Sequence, residues 1–132
     1  MARQASRGGD ARQSETSARR LARVNGEIRA VVADCLQRRL DDPRVGSVVP
    51  TRVRVSPDLR RARVFYTLIG LDRNQGEAQR GLERAAGLIQ HEVATRLELR
   101  YTPALVFNFD DDLAEAERMD SLIRAPSRPE ER

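Results

Sequence analysis

Between Asp42 and Thr67 the chain reads as a helix stop, a strand, a tight turn and a second strand, and no other segment restricts the fold as strongly. Asp42-Pro43 ends any helix before it, because the residue preceding a proline is pushed out of the helical region. Thr51, Val53 and Val55 then alternate with Arg52, Arg54 and Ser56, a period of two with one apolar and one basic face. Ser56-Pro57-Asp58-Leu59 is turn chemistry: proline presets one dihedral, and aspartate bonds nearby backbone. Ala62, Val64, Tyr66 and Leu68 follow on one face, with Arg63, Phe65, Thr67 and Ile69 on the other, until Gly70 closes the strand. The expectation is a β-hairpin with arginines crowding its turn.

The flanking segments supply helices and one more strand. Residues 1–16 hold no aliphatic side chain beyond Met1 and are expected to be a disordered basic tail. From Ser17, the positions Leu21, Val24, Ile28, Val31, Val32, Cys35 and Leu36 recur at helical spacing. After the hairpin a second helical pattern starts near Glu77 and runs through Ala78, Leu82, Ala85 and Ala86. Gly87 interrupts it before Ile89, Val93 and Leu97 resume, so two helices meeting at a kink are expected. Tyr101-Thr102-Pro103 ends them; Leu105, Phe107 and Phe109 form a third strand. Asp110-Asp111-Asp112 then caps a short amphipathic helix carrying Leu113, Ala116, Met119 and Ile123, and residues 125–132 are expected to be a disordered tail. Residues 17–124 therefore read as one α+β domain, a three-stranded sheet covered on one side by helices. The order helix, strand, strand, helix, kink, helix, strand is also that of a type II KH domain.

Charge points to the partner. Residues 1–70 carry fifteen arginines against seven acids, and residues 71–132 carry nine against thirteen, with no lysine anywhere. Such asymmetry suits one face for a polyanion and one that avoids it. Arginine's planar fork matches phosphate and stacks on bases. The absence of lysine is also what codon bias in a GC-rich genome produces, but the asymmetry of sign is independent of that. No apolar run is long enough to span a bilayer. The first ten residues lack the apolar stretch of a secretory signal. A lone Cys35 cannot form an internal disulfide, so a reducing cytoplasm is the expected setting.

Candidate RNA contacts follow from these elements. Arg60 and Arg61 sit beside the turn with Arg63, and Arg52 and Arg54 lie on the facing strand. Arg44 marks the end of the first helix, while Arg80 and Arg84 approach the Ala85-Ala86-Gly87 junction. Small residues where helices meet let backbone come close to phosphate, although a bare helix kink would use the same glycine. With few aromatic residues, most at positions expected in the core, no stacking platform of the sheet-face type is expected, which favours recognition of RNA shape and phosphate. Signals for catalysis are poor. His91 has no neighbouring nucleophile, Cys35 occupies an apolar helix position, and the three consecutive aspartates suit a helix N-terminus better than a divalent ion. No cofactor or metal is expected.

The chain resembles the ribosome-binding factor A family from about Arg19 to Ile123. The resemblance rests on Asp42-Pro43-Arg44-Val45-Gly46, Val55-Ser56-Pro57-Asp58-Leu59 with Ala62-Arg63-Val64, and Leu97-x-Leu99-Arg100 followed by Pro103-x-Leu105-x-Phe107. It implies a monomeric, non-enzymatic, KH-like factor that binds free 30S subunits or their precursors. The family's role implies help in maturing 16S rRNA around its 5′-end helix and the neck, support of growth in the cold, and release aided by an assembly GTPase. It also implies that Ala85 and Gly87 match the Ala-x-Gly kink that stands in for the KH glycine loop. Two features depart from the family: Gln90 occupies a position that is often basic, and the arginine-rich N-terminal tail is unusual. Outside the resemblance two other readings stay open: a stand-alone KH protein acting on messenger or small RNA, and a protein-interaction adaptor docking an acidic partner.

Overall fold

The computed structural model describes residues 2–38, 41–70 and 74–124, with side-chain environments from Ser17 onward apart from Ser121, Ile123 and Arg124. Helix α1 (Ala2–Arg38) is followed by a 3₁₀ turn at Pro43–Val45 and strands β1 (Val48–Val55) and β2 (Arg61–Leu68). Then come helix α2 (Gln75–Arg96), strand β3 (Ala104–Phe109) and helix α3 (Asp111–Arg124). Helical backbone begins at Ala2, well before the Ser17 start read from the apolar pattern. Alanine, arginine and glutamine are good helix formers, so a helix anchored by a packed segment propagates outward without needing apolar contacts. The side chains of residues 1–16 and all of residues 125–132 lie outside the described residues, and with the latter the expected C-terminal tail.

β2 is the central strand, antiparallel to β1 and parallel to β3. Helices α1 and α2 cover one face, where Ile28, Val32 and Cys35 of α1 meet Val64 and Tyr66 of β2 and Leu82, Ile89 and Val93 of α2. The spacing of the α1 and α2 positions is the helical repeat expected for one buried stripe. Alternation in β2 holds as read: Ala62, Val64, Tyr66 and Leu68 are all buried. The turn is tied by Asp58, whose carboxylate accepts from the Ser56 hydroxyl at 2.6 Å and the Arg60 N–H at 3.1 Å. It also needs Leu59 at φ 60, a left-handed conformation that costs a branched residue roughly 1–2 kcal/mol. Packing of the Leu59 side chain on the core offsets that cost.

Three expectations are revised. First, β1 starts at Val48, and its pairing shifts between Pro50, opposite Tyr66, and Arg52, opposite Phe65. Thr51 is the extra residue of a β-bulge, so it does not continue the Val53 and Val55 face. Second, α2 is one hydrogen-bonded helix from Gln75 to Arg96, not two meeting at Gly87. One glycine weakens a helix by about 1 kcal/mol without removing any backbone bond. The glycine that packs is Gly81: a Cβ there would lie 2.8 Å from Val45 Cγ1 and 3.2 Å from Arg44 Cβ, whereas one at Gly87 would meet nothing within 4 Å. Third, α3 is not buried along an apolar stripe. Met119 is 50% and Leu122 59% exposed, and Ala116 is exposed as well. Helix α3 is held at its start, where Asp110 accepts from the Leu113 N–H at 3.0 Å.

Candidate nucleic-acid interface

The face of the sheet away from α1 and α2 is open, and strand pairing lays its side chains in rows. Arg52, Phe65 and Asn108 form one row, and Arg54, Arg63 and Val106 form the next; Arg61 and Ala104 stand beside each other in a third. Arg52 is the ordered member. Its Nε lies 3.2 Å from Asp110 Oδ2, its Nη2 lies 3.0 Å from Asp112 Oδ2, and its Cζ sits 4.1 Å over the centre of the Phe65 ring. Asp110 is buried, and burial pushes its carboxyl up. The Thr51 hydroxyl at 2.6 Å, the Leu113 N–H and Arg52 together outweigh that and hold it below the usual carboxylate range. The bulge at Thr51 allows this, because Thr51 and Arg52 both reach one carboxylate. Arg54, Arg61 and Arg63 are exposed and make no ion pair among the described residues.

The other candidates fall elsewhere. Arg60, at the turn, sits with its Cζ 4.4 Å over the ring of Tyr101, and the Arg100 guanidinium lies 5.8 Å from the same ring. Arg44 folds back on Asp42, with Nε to Oδ1 at 2.9 Å and Nη2 to Oδ2 at 2.6 Å. The Arg44 guanidinium hydrogen bonds hold the Asp42 carboxyl down at about 2. Arg80 pairs with Glu77 at 3.0 Å, and exposed Arg84 adds its charge near Asp42. Ala85 is half-buried against the core and Gly87 is exposed on α2. Gln90 is engaged by the fold, its Oε1 accepting from the Leu105 N–H at 3.0 Å where β3 begins. Arg52, Arg54, Arg61 and Arg63 thus share one surface, Arg60 stands at the turn beside Tyr101, and Arg44, Arg80 and Arg84 are grouped by the 3₁₀ turn.

Sequence reasoning missed two aromatic positions. Phe65 lies on the open face under Arg52, and Tyr101 is 49% exposed between two arginines. The alternation in β2 had already put Phe65 opposite the core residues; the small number of aromatics argued the other way. Cys35 is fully buried, as its apolar helix position implied. No group of three or more His, Cys, Asp or Glu side chains among the described residues is arranged to hold a metal ion. None of their helices is long and apolar enough to cross a membrane.

Two helices against one face of a three-stranded sheet, a third helix following the last strand, and hairpin arginines on the open face define a single KH-like α+β domain. Residues 20–123 match the family model for ribosome-binding factor A. Relatives of that name include the protein of Natranaerobius thermophilus, 38% identical over 82% of this chain and 82% of its own. The protein of Syntrophus aciditrophicus is 42% identical over 88% of this chain and 94% of its own. The crystal structure of ribosome-binding factor A from Thermus thermophilus superposes with a TM-score of 0.60 at 27% identity, over 67% of this chain and 93% of that one. A homology model of the Thermus thermophilus factor, fitted into a cryo-EM map of its complex with the 30S subunit, gives 0.54 at 28% identity over 66% and 91%. The chain belongs to the ribosome-binding factor A family.

Proposed function

We propose that this protein is a non-enzymatic assembly factor that binds free small ribosomal subunits, or their precursors, in the cytoplasm. The observation that carries the reading is the match of the whole domain, residues 20–123, to the family. The fitting of a structural neighbour into a 30S complex supports the same partner. The exposed hairpin arginines supply what ribosomal RNA requires, cations with no carboxylate partner among the described residues. In this reading Arg54, Arg60 and Arg61 contact phosphate directly, while Arg52 is positioned by Asp110 and Asp112 to stack. Arg44, Arg80 and Arg84 form a second contact beside the 3₁₀ turn, and Ala85 and Gly87 let RNA approach the exposed side of α2.

The finer role is maturation of 16S rRNA around the 5′-end helix and neck, needed most in the cold, with release aided by an assembly GTPase. The test is co-sedimentation of the purified protein with isolated small subunits, large subunits and intact ribosomes at two salt concentrations. Selective, salt-sensitive association with free small subunits is the expected result. Equal association with all three, or with none, would refute the assembly reading.

A further inference from the structure

We infer that the open face of the sheet is a binding site for an unpaired RNA strand, with bases stacking on the Arg52–Phe65 pair and phosphates held by Arg54, Arg61 and Arg63. The inference rests on the RNA-binding reading above but not on which particle carries the RNA. Arg54 and Arg63 are direct cross-strand partners. Like charges directly opposite on one face destabilise a sheet, and neither arginine has an ion-pair partner among the described residues. Arg61 stands on the same face of β2, two residues before Arg63, also unpaired. An anion bound across the three relieves that repulsion.

Charge alone would suit any polyanion; the remaining side chains select an unpaired strand. The three arginines border an open depression of about 620 Å³ that Arg52, Phe65 and Val106 also line. Val106 is 51% exposed at its floor. Phe65 lies beneath a guanidinium already fixed by two carboxylates, so the pair presents a preorganised flat surface. Unpaired bases stack on aromatic rings and on guanidinium planes, whereas the bases of a duplex are not available to do so. Asp112 gives the site a direction. It neutralises Arg52 and repels phosphate from that end, so the backbone runs over Arg54, Arg61 and Arg63 while bases lean toward Phe65.

The test uses the full chain and fluorescence anisotropy with a labelled 12-nucleotide oligoadenylate, beside a 12-base-pair RNA duplex. The wild type should bind the single strand more tightly than the duplex. Phe65→Leu keeps an apolar side chain but removes the ring, and should weaken single-strand binding roughly tenfold, the loss of one stacked base. Arg54→Gln with Arg63→Gln should weaken it further and reduce the slope of log K against log salt by about 1.4, two phosphates at about 0.7 each. Circular dichroism checks that each variant is folded. Folded variants that bind the oligonucleotide like the wild type overturn the inference, as does equal wild-type affinity for strand and duplex. Co-sedimentation with small subunits, run in parallel, separates this outcome from the wider reading. If the wild type associates selectively while the folded variants keep their oligonucleotide affinity, the sheet-face site falls and the assembly role stands. Loss of oligonucleotide binding in the variants, with no subunit association by the wild type, would give the reverse.

Discussion

Placing alanine at Gly81 and at Gly87 in turn separates two glycines that look alike in the sequence. Both sit inside α2, so either replacement should gain about 0.8–1.0 kcal/mol of helix propensity. At Gly87 nothing lies within 4 Å of the new Cβ, and that gain should appear in full. At Gly81 the new methyl would meet Val45 Cγ1 at 2.8 Å and Arg44 Cβ at 3.2 Å. Val45 is buried and β-branched, so it cannot rotate away cheaply, and overpacking of this kind costs about 1–3 kcal/mol. The net effect at Gly81 is a loss of about 0–2 kcal/mol, and the two variants should differ by about 1–3 kcal/mol. For a domain of this size that is a separation of at least about 4 °C in Tm, with Gly87→Ala above the wild type. Thermal unfolding by circular dichroism reads it directly. If both variants are stabilised equally, α2 does not approach the 3₁₀ turn as described, and the packing argument is wrong. Gly87→Ala has a second use: because it leaves the fold undisturbed, any loss of subunit association places RNA against that part of α2.

Further expectations concern single side chains. Asp110→Asn keeps a capping oxygen for α3 but loses the charge that Arg52 and Thr51 address, and should cost about 2 kcal/mol at pH 7 in urea unfolding. The carboxyl of Asp110 is held below its ordinary 3.8, so its contribution is complete above that value and is lost as pH falls below it; the gap between wild type and Asp110→Asn should therefore close in acid. A gap unchanged down to pH 2 would contradict the assignment. Gln90→Ala leaves the Leu105 N–H without its acceptor and should cost about 1 kcal/mol in the same unfolding assay, whether or not RNA binding changes. Arg60→Glu with Arg61→Glu should weaken small-subunit association while leaving Tm within a few degrees; unchanged co-sedimentation would remove both from the interface.

The hairpin was legible because each of its determinants is local. A period of two, a Ser-Pro-Asp turn and a Pro stop act within a few residues, and the fold uses them nearly as written. Gly87 misled for the opposite reason. Whether a glycine breaks a helix depends on what lies beside it, and at Gly87 nothing does, while the tight contact falls at Gly81, whose partner Val45 is far away in sequence. The apolar spacing in α3 promised a buried stripe, yet burial requires a surface to receive it, and Met119 finds none. At the site, the arginines of the hairpin could be named from sequence, but their states could not. That Arg52 is tied to Asp110 and Asp112 across about sixty residues of chain is a tertiary fact. So is the engagement of Gln90 by the Leu105 N–H of β3.

The bulge at Thr51 does more than lend a hydroxyl to Asp110. Val48 and Pro50 point inward before it, Val53 after it, so the strand is two frames joined by one surplus residue. Unbroken alternation from Val48 would have continued through Arg52 and Arg54, driving two guanidinium groups into the core. A slip of one residue beyond the bulge would do the same, at a cost of several kcal/mol for each buried charge. The chain thus has a single workable pairing for β1. The residues that make the outer face attractive to a polyanion are the same ones that forbid the strand any other alignment.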